Sequence, residues 1–284
     1  MAMTPETPPV LLGILALLAY GGAAGLYIRN LFRPDERFAR GATVLAGLGV
    51  VLNLWALYSR AAFLHSVPYR DLLGSMSLFG FFLGALNLVL EGRHHDRSLG
   101  PFLVPAAFLL LLAALLLPPG ASPPRPELRG SVFALHVTLN MLAYAAFAVA
   151  CALSGLYLVV RRSLKTVGSL GLDGPASRLP SLSYLERANR TSLSVGLVAL
   201  TVGLALGMQW ASRVWKPTDP HWATDPKVVV ALLTLAFYIV TVIRALRGAS
   251  PVSTAKLSVA GFLLVLVSYT AINLLFSRLH TFVS

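Results

Sequence analysis

Cysteine and charge are what this 284-residue sequence has least of. Its single cysteine, Cys151, cannot close an internal disulfide, and no Cys-x-x-Cys or Cys-x-x-Cys-His run exists. The chain is therefore neither a dithiol oxidoreductase of the usual kind nor itself a c-type cytochrome. Cys151 lies within an apolar segment and reads as a small packing residue. Only 12% of residues are charged, about half the ~25% of a soluble domain. With 56% hydrophobic residues and a mean hydropathy of +0.74, such a chain could not cover its apolar surface in water. A bilayer removes that need, because lipid solvates apolar side chains directly. The net charge of +12 would suit nucleic acid, but the basic residues sit in short runs between apolar segments. There they meet phospholipid headgroups, so the lipid bilayer is the expected partner and nucleic acid is not. P-loop, Gly-x-Ser-x-Gly and His-Glu-x-x-His motifs are also missing. No internal repeat marks an inverted-repeat transporter, and no ionisable residue sits mid-span, where coupled transport needs one.

What is present is a series of apolar segments long enough to cross a membrane, a span needing ~20 residues. They lie near 10–28, 41–58, 72–90, 101–117, 132–160, 191–211, 228–243 and 255–276. The expected fold class is all-α: a polytopic membrane protein of about eight transmembrane helices, forming one transmembrane domain over 1–284. The seventh segment is the shortest and spans comfortably if Pro226 and Lys227 open its first turn, where proline's missing N–H costs nothing. Of the 23 Lys and Arg, fifteen fall in the connections on one side and eight on the other. The basic side faces inward, which puts both termini on the outer side. Residues 161–190, rich in Gly, Ser and basic residues, read as a flexible inner linker.

Four of the six histidines, His65, His136, His221 and His280, then map to the outer face. His94 and His95 fall among charged residues of an inner loop, as headgroup neighbours. His136 opens helix five and His280 follows helix eight. Two imidazoles at one membrane depth are what six-coordinate haem iron requires, although two histidines also meet at one face by chance. Between helices six and seven, three of the four tryptophans, Trp210, Trp215 and Trp222, fall within thirteen positions of the loop 209–227. An interfacial aromatic belt accounts for their depth. Their density beside Arg213, Lys216 and Lys227, with Asp225-Pro226-Lys227 at a helix start, suits a planar ligand with an apolar face and anionic edges. Asn53, Asn87, Asn140 and Asn273 within the spans read as hydrogen-bonding glue between helices, Asn140 lying one turn from His136.

Taken together, these segments resemble the cytochrome c assembly proteins of the CcsA, HemX and YpjD type. The resemblance runs from His65 to His280. It is carried by the tryptophan loop with Ala223-Thr224-Asp225-Pro226-Lys227, the Leu179–Glu186 stretch, the Gly203–Gly207 region, His136 with Tyr144, Asn273 with Leu279-His280, and Val67–Leu72. On that resemblance, helices one and two (1–60) precede a family core at 61–284. It implies haem on the outer face of the cell's inner (plasma) membrane, with His136 and His280 as axial ligands of the iron. Trp210, Trp215 and Trp222 would line the macrocycle, with Asp225 and Lys227 at its edge. It further implies an apocytochrome c and a second membrane assembly protein as partners.

The chain also departs from the family pattern. Thr224 stands for the loop's last tryptophan, Val228 for the glutamate after the lysine, and Gly74 for a glutamate of the first outer loop. Ile243 stands where haem-exporting members carry a histidine low in helix seven. These departures place the chain nearest the short HemX and YpjD branch. The expected function is haem binding in cytochrome c assembly, without turnover by the chain alone. The alternative is a regulatory or scaffolding membrane protein that has lost transfer chemistry.

Overall fold

The computed structural model describes residues 7–64, 67–69, 72–116, 130–167, 180–214 and 226–266. Eight helices and no strand occur among them: α1 (Thr7–Phe32), α2 (Glu36–Leu64), α3 (Leu72–His94), α4 (Gly100–Leu116), α5 (Ser131–Val167), α6 (Leu182–Val214), α7 (Pro226–Leu246) and α8 (Pro251–Leu266). Six are long and apolar enough to cross a membrane, and α4 and α8 are shorter apolar helices. The all-helical, multi-pass reading stands. Proline opens α7 as expected, and it opens α8 behind the Ser250 cap, whose Oγ accepts the Ser253 amide at 3.3 Å. Gly248 ends α7 at φ +85°, and the Ala249 amide closes back on the Arg244 carbonyl at 3.0 Å.

The inner linker is shorter than the sequence suggested. α5 continues to Val167 and α6 already begins at Leu182, so the two ends of 161–190 are helical. Hydropathy marks where lipid ends, but not where the helix ends. Arginine and lysine are good helix formers, and Arg190 pairs with Glu186 one turn away at 3.4 Å.

The helices form two compact units, α1–α4 and α5–α8. In the first, α1 lies against α2 and α4, and α3 against α4 and α2. Its buried polar groups join helices. Ser77 donates to the Asn53 carboxamide oxygen at 2.8 Å, the Asn53 amide donates to the Ser77 carbonyl at 3.2 Å, and Asn87 donates to Tyr27 Oη at 3.5 Å. In the second, α5 packs on α6 and α8, and α7 touches α6 and α8. Its centre is the Phe147–Tyr238 pair, stacked with ring centroids 3.5 Å apart and both fully buried. Gly196 and Gly261 face this pair, and a Cβ on either would enter the rings.

Candidate functional site

His136 lies in the second turn of α5, half-buried against α6. Its Nδ1 is 2.7 Å from the Gly203 carbonyl oxygen. A carbonyl only accepts, so Nδ1 carries a proton, and in the neutral ring the lone pair is then on Nε2. The Asn140 amide nitrogen lies 3.2 Å from Nδ1 and 3.4 Å from Nε2. This contact is possible because the two residues share a helix face at i, i+4. The Phe133 ring lies 6.5 Å from the imidazole and 5.1 Å from the half-buried Trp210 ring at the end of α6. Exposed Arg213 follows Trp210 by less than one turn. One end of the α5–α6 pair thus gathers an imidazole of defined tautomer, two tilted aromatic rings and a guanidinium.

Of the residues singled out from sequence, the structure brings His136 and Trp210 to this end. Trp215, Trp222, Asp225, His221 and His280 lie outside the described residues, as does His65. Lys227 falls in the first turn of α7, and its side chain is outside the described set. The fourth tryptophan, Trp55, is 58% exposed on α2, an apolar surface position away from this cluster in sequence and in helix.

Gly74 has its own explanation. The Pro68 carbonyl oxygen would sit 1.8 Å from a Cβ at position 74. That carbonyl accepts from Arg60 Nη1 at 3.0 Å, and Tyr69 O accepts from Ser75 Oγ at 3.1 Å. The segment 67–69 folds onto the start of α3 so closely that only glycine fits there.

Sequence reasoning missed a second polar centre, in the α1–α4 unit. Glu91, 8% exposed, accepts from Tyr27 Oη at 2.6 Å, Thr43 Oγ1 at 2.5 Å and Arg97 Nε at 2.9 Å. Arg97 also reaches Glu36 at 3.0 Å. Those carboxylates, Glu36 first, hold the guanidinium above its ordinary pKa. The cluster borders a half-open cavity of about 790 Å³ lined also by Asn30, His95 and Asp96. No three His, Cys, Asp or Glu side chains among the described residues are placed to hold a metal ion, which is compatible with haem iron, since haem needs only one or two protein ligands.

With this geometry in place, comparison with known proteins decides the family. Residues 69–280 match the family model described as "Cytochrome C assembly protein". The chain belongs to the cytochrome c assembly protein family. Relatives named cytochrome c biogenesis protein CcsA occur in Pyropia yezoensis, 25% identical over 93% of this chain and 90% of that protein. Two more are found in Prochlorococcus marinus. That of strain MIT 9301 is 28% identical over 89% of this chain and 87% of its own length, and that of strain NATL2A is 30% identical over 76% of each. The family match takes in α3 to α8, and so includes both His136 and the tryptophan loop.

Proposed function

We propose that this chain binds haem at the outer face of the inner (plasma) membrane and serves cytochrome c assembly, holding haem for attachment to an apocytochrome. The observation that carries the reading is His136: an Nδ1–H imidazole locked on a backbone carbonyl, next to Trp210 and Phe133, in a chain of the cytochrome c assembly family. The donor set fits haem. Imidazole Nε2 is an axial ligand of haem iron, aromatic rings match the porphyrin face, and Arg213 matches an anionic propionate. Haem, when bound, supplies a redox-active iron and the vinyl groups to which cysteine thiols add. The protein's own part is to orient the ligand, shield one face and hold the edge charge. His280 is the proposed second axial ligand, with Trp215 and Trp222 extending the shelf and Asp225 and Lys227 at its rim. A second membrane assembly protein completes the proposed set of partners.

The test is an absorbance spectrum of the detergent-purified protein, oxidised and then reduced with dithionite. Bis-histidine low-spin iron gives sharp visible bands on reduction, and His136→Ala or His280→Ala should abolish or broaden them. A protein that stays colourless after haem supplementation would sink the reading. It would favour the regulatory or scaffolding alternative, which the absence of any histidine in α7 already supports. That absence, at Ile243 in particular, is also the basis for placing the chain near the short HemX and YpjD branch.

The proposed sidedness puts both termini and the 209–227 loop outside, and it rests on the fifteen-to-eight charge bias. In a Cys151→Ala background, Ser122→Cys and Gly171→Cys should react with an impermeant maleimide from opposite sides. Labelling of both from one side would overturn the topology and the pairing of His136 with His280.

A further inference from the structure

We propose that Gly203, Gly207 and Asn140 form a seat that fixes both the tautomer and the ring plane of His136 before iron arrives, with Asn140 as a positioning residue. The inference deepens the haem reading and takes its functional meaning from it, but its geometry stands on α5 and α6 alone. Three contacts define the seat. The Gly203 carbonyl oxygen, 2.7 Å from Nδ1, accepts the Nδ1–H hydrogen bond, which in the neutral ring leaves the lone pair on Nε2. At Gly207 a Cβ would lie 2.4 Å from both Cε1 and Nδ1, so the edge of the imidazole rests on the bare backbone of α6. Gly203 and Gly207 are four apart and share one helix face, and each is a weak helix former, so the helix carries two weak positions, one where Asn140 and one where the ring needs room.

Asn140 closes the third side. Its amide nitrogen is nearly equidistant from the two ring nitrogens, 3.2 and 3.4 Å. An atom so placed lies over the face of the ring instead of on the in-plane lone pair of either nitrogen. Nδ1 already donates to Gly203, so it cannot also accept from Asn140. The contact is therefore an amide resting on the imidazole face, and it limits rotation about the ring's own bond without occupying Nε2. Among the described residues the carboxamide oxygen is buried with no hydrogen-bond partner, and a Cβ at Gly203 would come within 2.7 Å of it. Asn53, which joins α2 to α3, uses both ends of its amide on Ser77. In Asn140 the nitrogen rests on the ring and the oxygen has no hydrogen-bond partner among the described residues. Groups that fix the tautomer and plane of a ligating histidine are worth roughly 10–100-fold in metal affinity.

The seat is tested first without haem. In the full-length protein labelled with ¹⁵N-histidine in nanodiscs, the His136 signals are those lost in His136→Asn. Haem-free wild type should show one protonated nitrogen, Nδ1, and one unprotonated nitrogen, Nε2. Gly207→Ala should evict the ring and average the two signals while helix content holds, since alanine is the better helix former. Asn140→Leu should leave the tautomer biased but weaken hemin binding by roughly 10-fold and shift the haem midpoint potential. An Nε2–H tautomer in wild type overturns the proposal, as does unchanged tautomer and unchanged hemin affinity in both variants. A fixed Nδ1–H tautomer lost in Gly207→Ala, with no hemin uptake even by wild type, upholds the seat and refutes the haem reading instead.

Discussion

Buried carboxylate oxygens need donors, and Glu91 has three, from α1, α2 and the segment before α4. Arg97 supplies the balancing charge and is itself shared with Glu36. Glu91→Gln keeps the shape but removes the charge facing Arg97 and one of the two acceptor oxygens, so its N–H₂ must find an acceptor where Tyr27, Thr43 and Arg97 now donate. Losing such a buried acceptor costs ~1–3 kcal/mol. The lower part of that range applies here, because the Arg97 side chain is 33% exposed and solvent screens it. The expected outcome is a lower thermal midpoint of the detergent-purified protein, with less-than-additive loss when Arg97→Gln is added. Equal midpoints for wild type and Glu91→Gln would show that the network contributes nothing to stability. Glu91 was invisible in the sequence because Glu-Gly-Arg-His-His-Asp-Arg reads as a charged loop. α3 in fact runs to His94, so Glu91 is a helical residue whose face is chosen by packing.

At the level of helices, what was legible follows from physics that acts along the chain. Long apolar runs must be helical in lipid, where every backbone group needs an internal partner, so all eight helices could be placed. The ends were less legible, as α5 and α6 show by outrunning their apolar spans. The seat of His136 was legible only in part: Asn140 could be placed one turn from the histidine on the same face, but which carbonyl the ring would meet depends on how α6 lies on α5. The same holds for the core of the α5–α8 unit, where Phe147 and Tyr238 stack between Gly196 and Gly261. Tyr238 carries a hydroxyl into this stack with no hydrogen-bond partner among the described residues, and a buried hydroxyl without one costs ~1–3 kcal/mol. Tyr238→Phe keeps the stacked ring and removes the idle group, so it should leave the thermal midpoint unchanged or raise it, while Tyr238→Ala should lower it through the cavity left behind. A clear drop with phenylalanine would mean that the hydroxyl is bound in the folded protein.

For the molecule as a whole, the question is how haem would reach an outer site. The family resemblance associates export with a histidine low in the seventh helix, and α7 contains none. Its buried face is built from Thr234, Tyr238, Thr241, Val242 and Ala245, while Ile243 is 41% exposed. A single substitution at 243 would therefore present its side chain away from that buried face. Neither threonine nor an aliphatic side chain ligates iron, and the Tyr238 hydroxyl is enclosed by the Phe147 stack and Gly261. Haem at the outer site is thus expected to come from the lipid or from a partner, and the chain alone should not complete attachment. Expressed with a Cys-x-x-Cys-His reporter in cells stripped of their own assembly machinery, it should yield no covalent haem staining, while a partner that delivers haem to the outer face should restore it. Robust staining by the chain alone would make it a full synthase and turn attention to Asp225 and Lys227. It would also require haem to cross without a histidine ligand from α7.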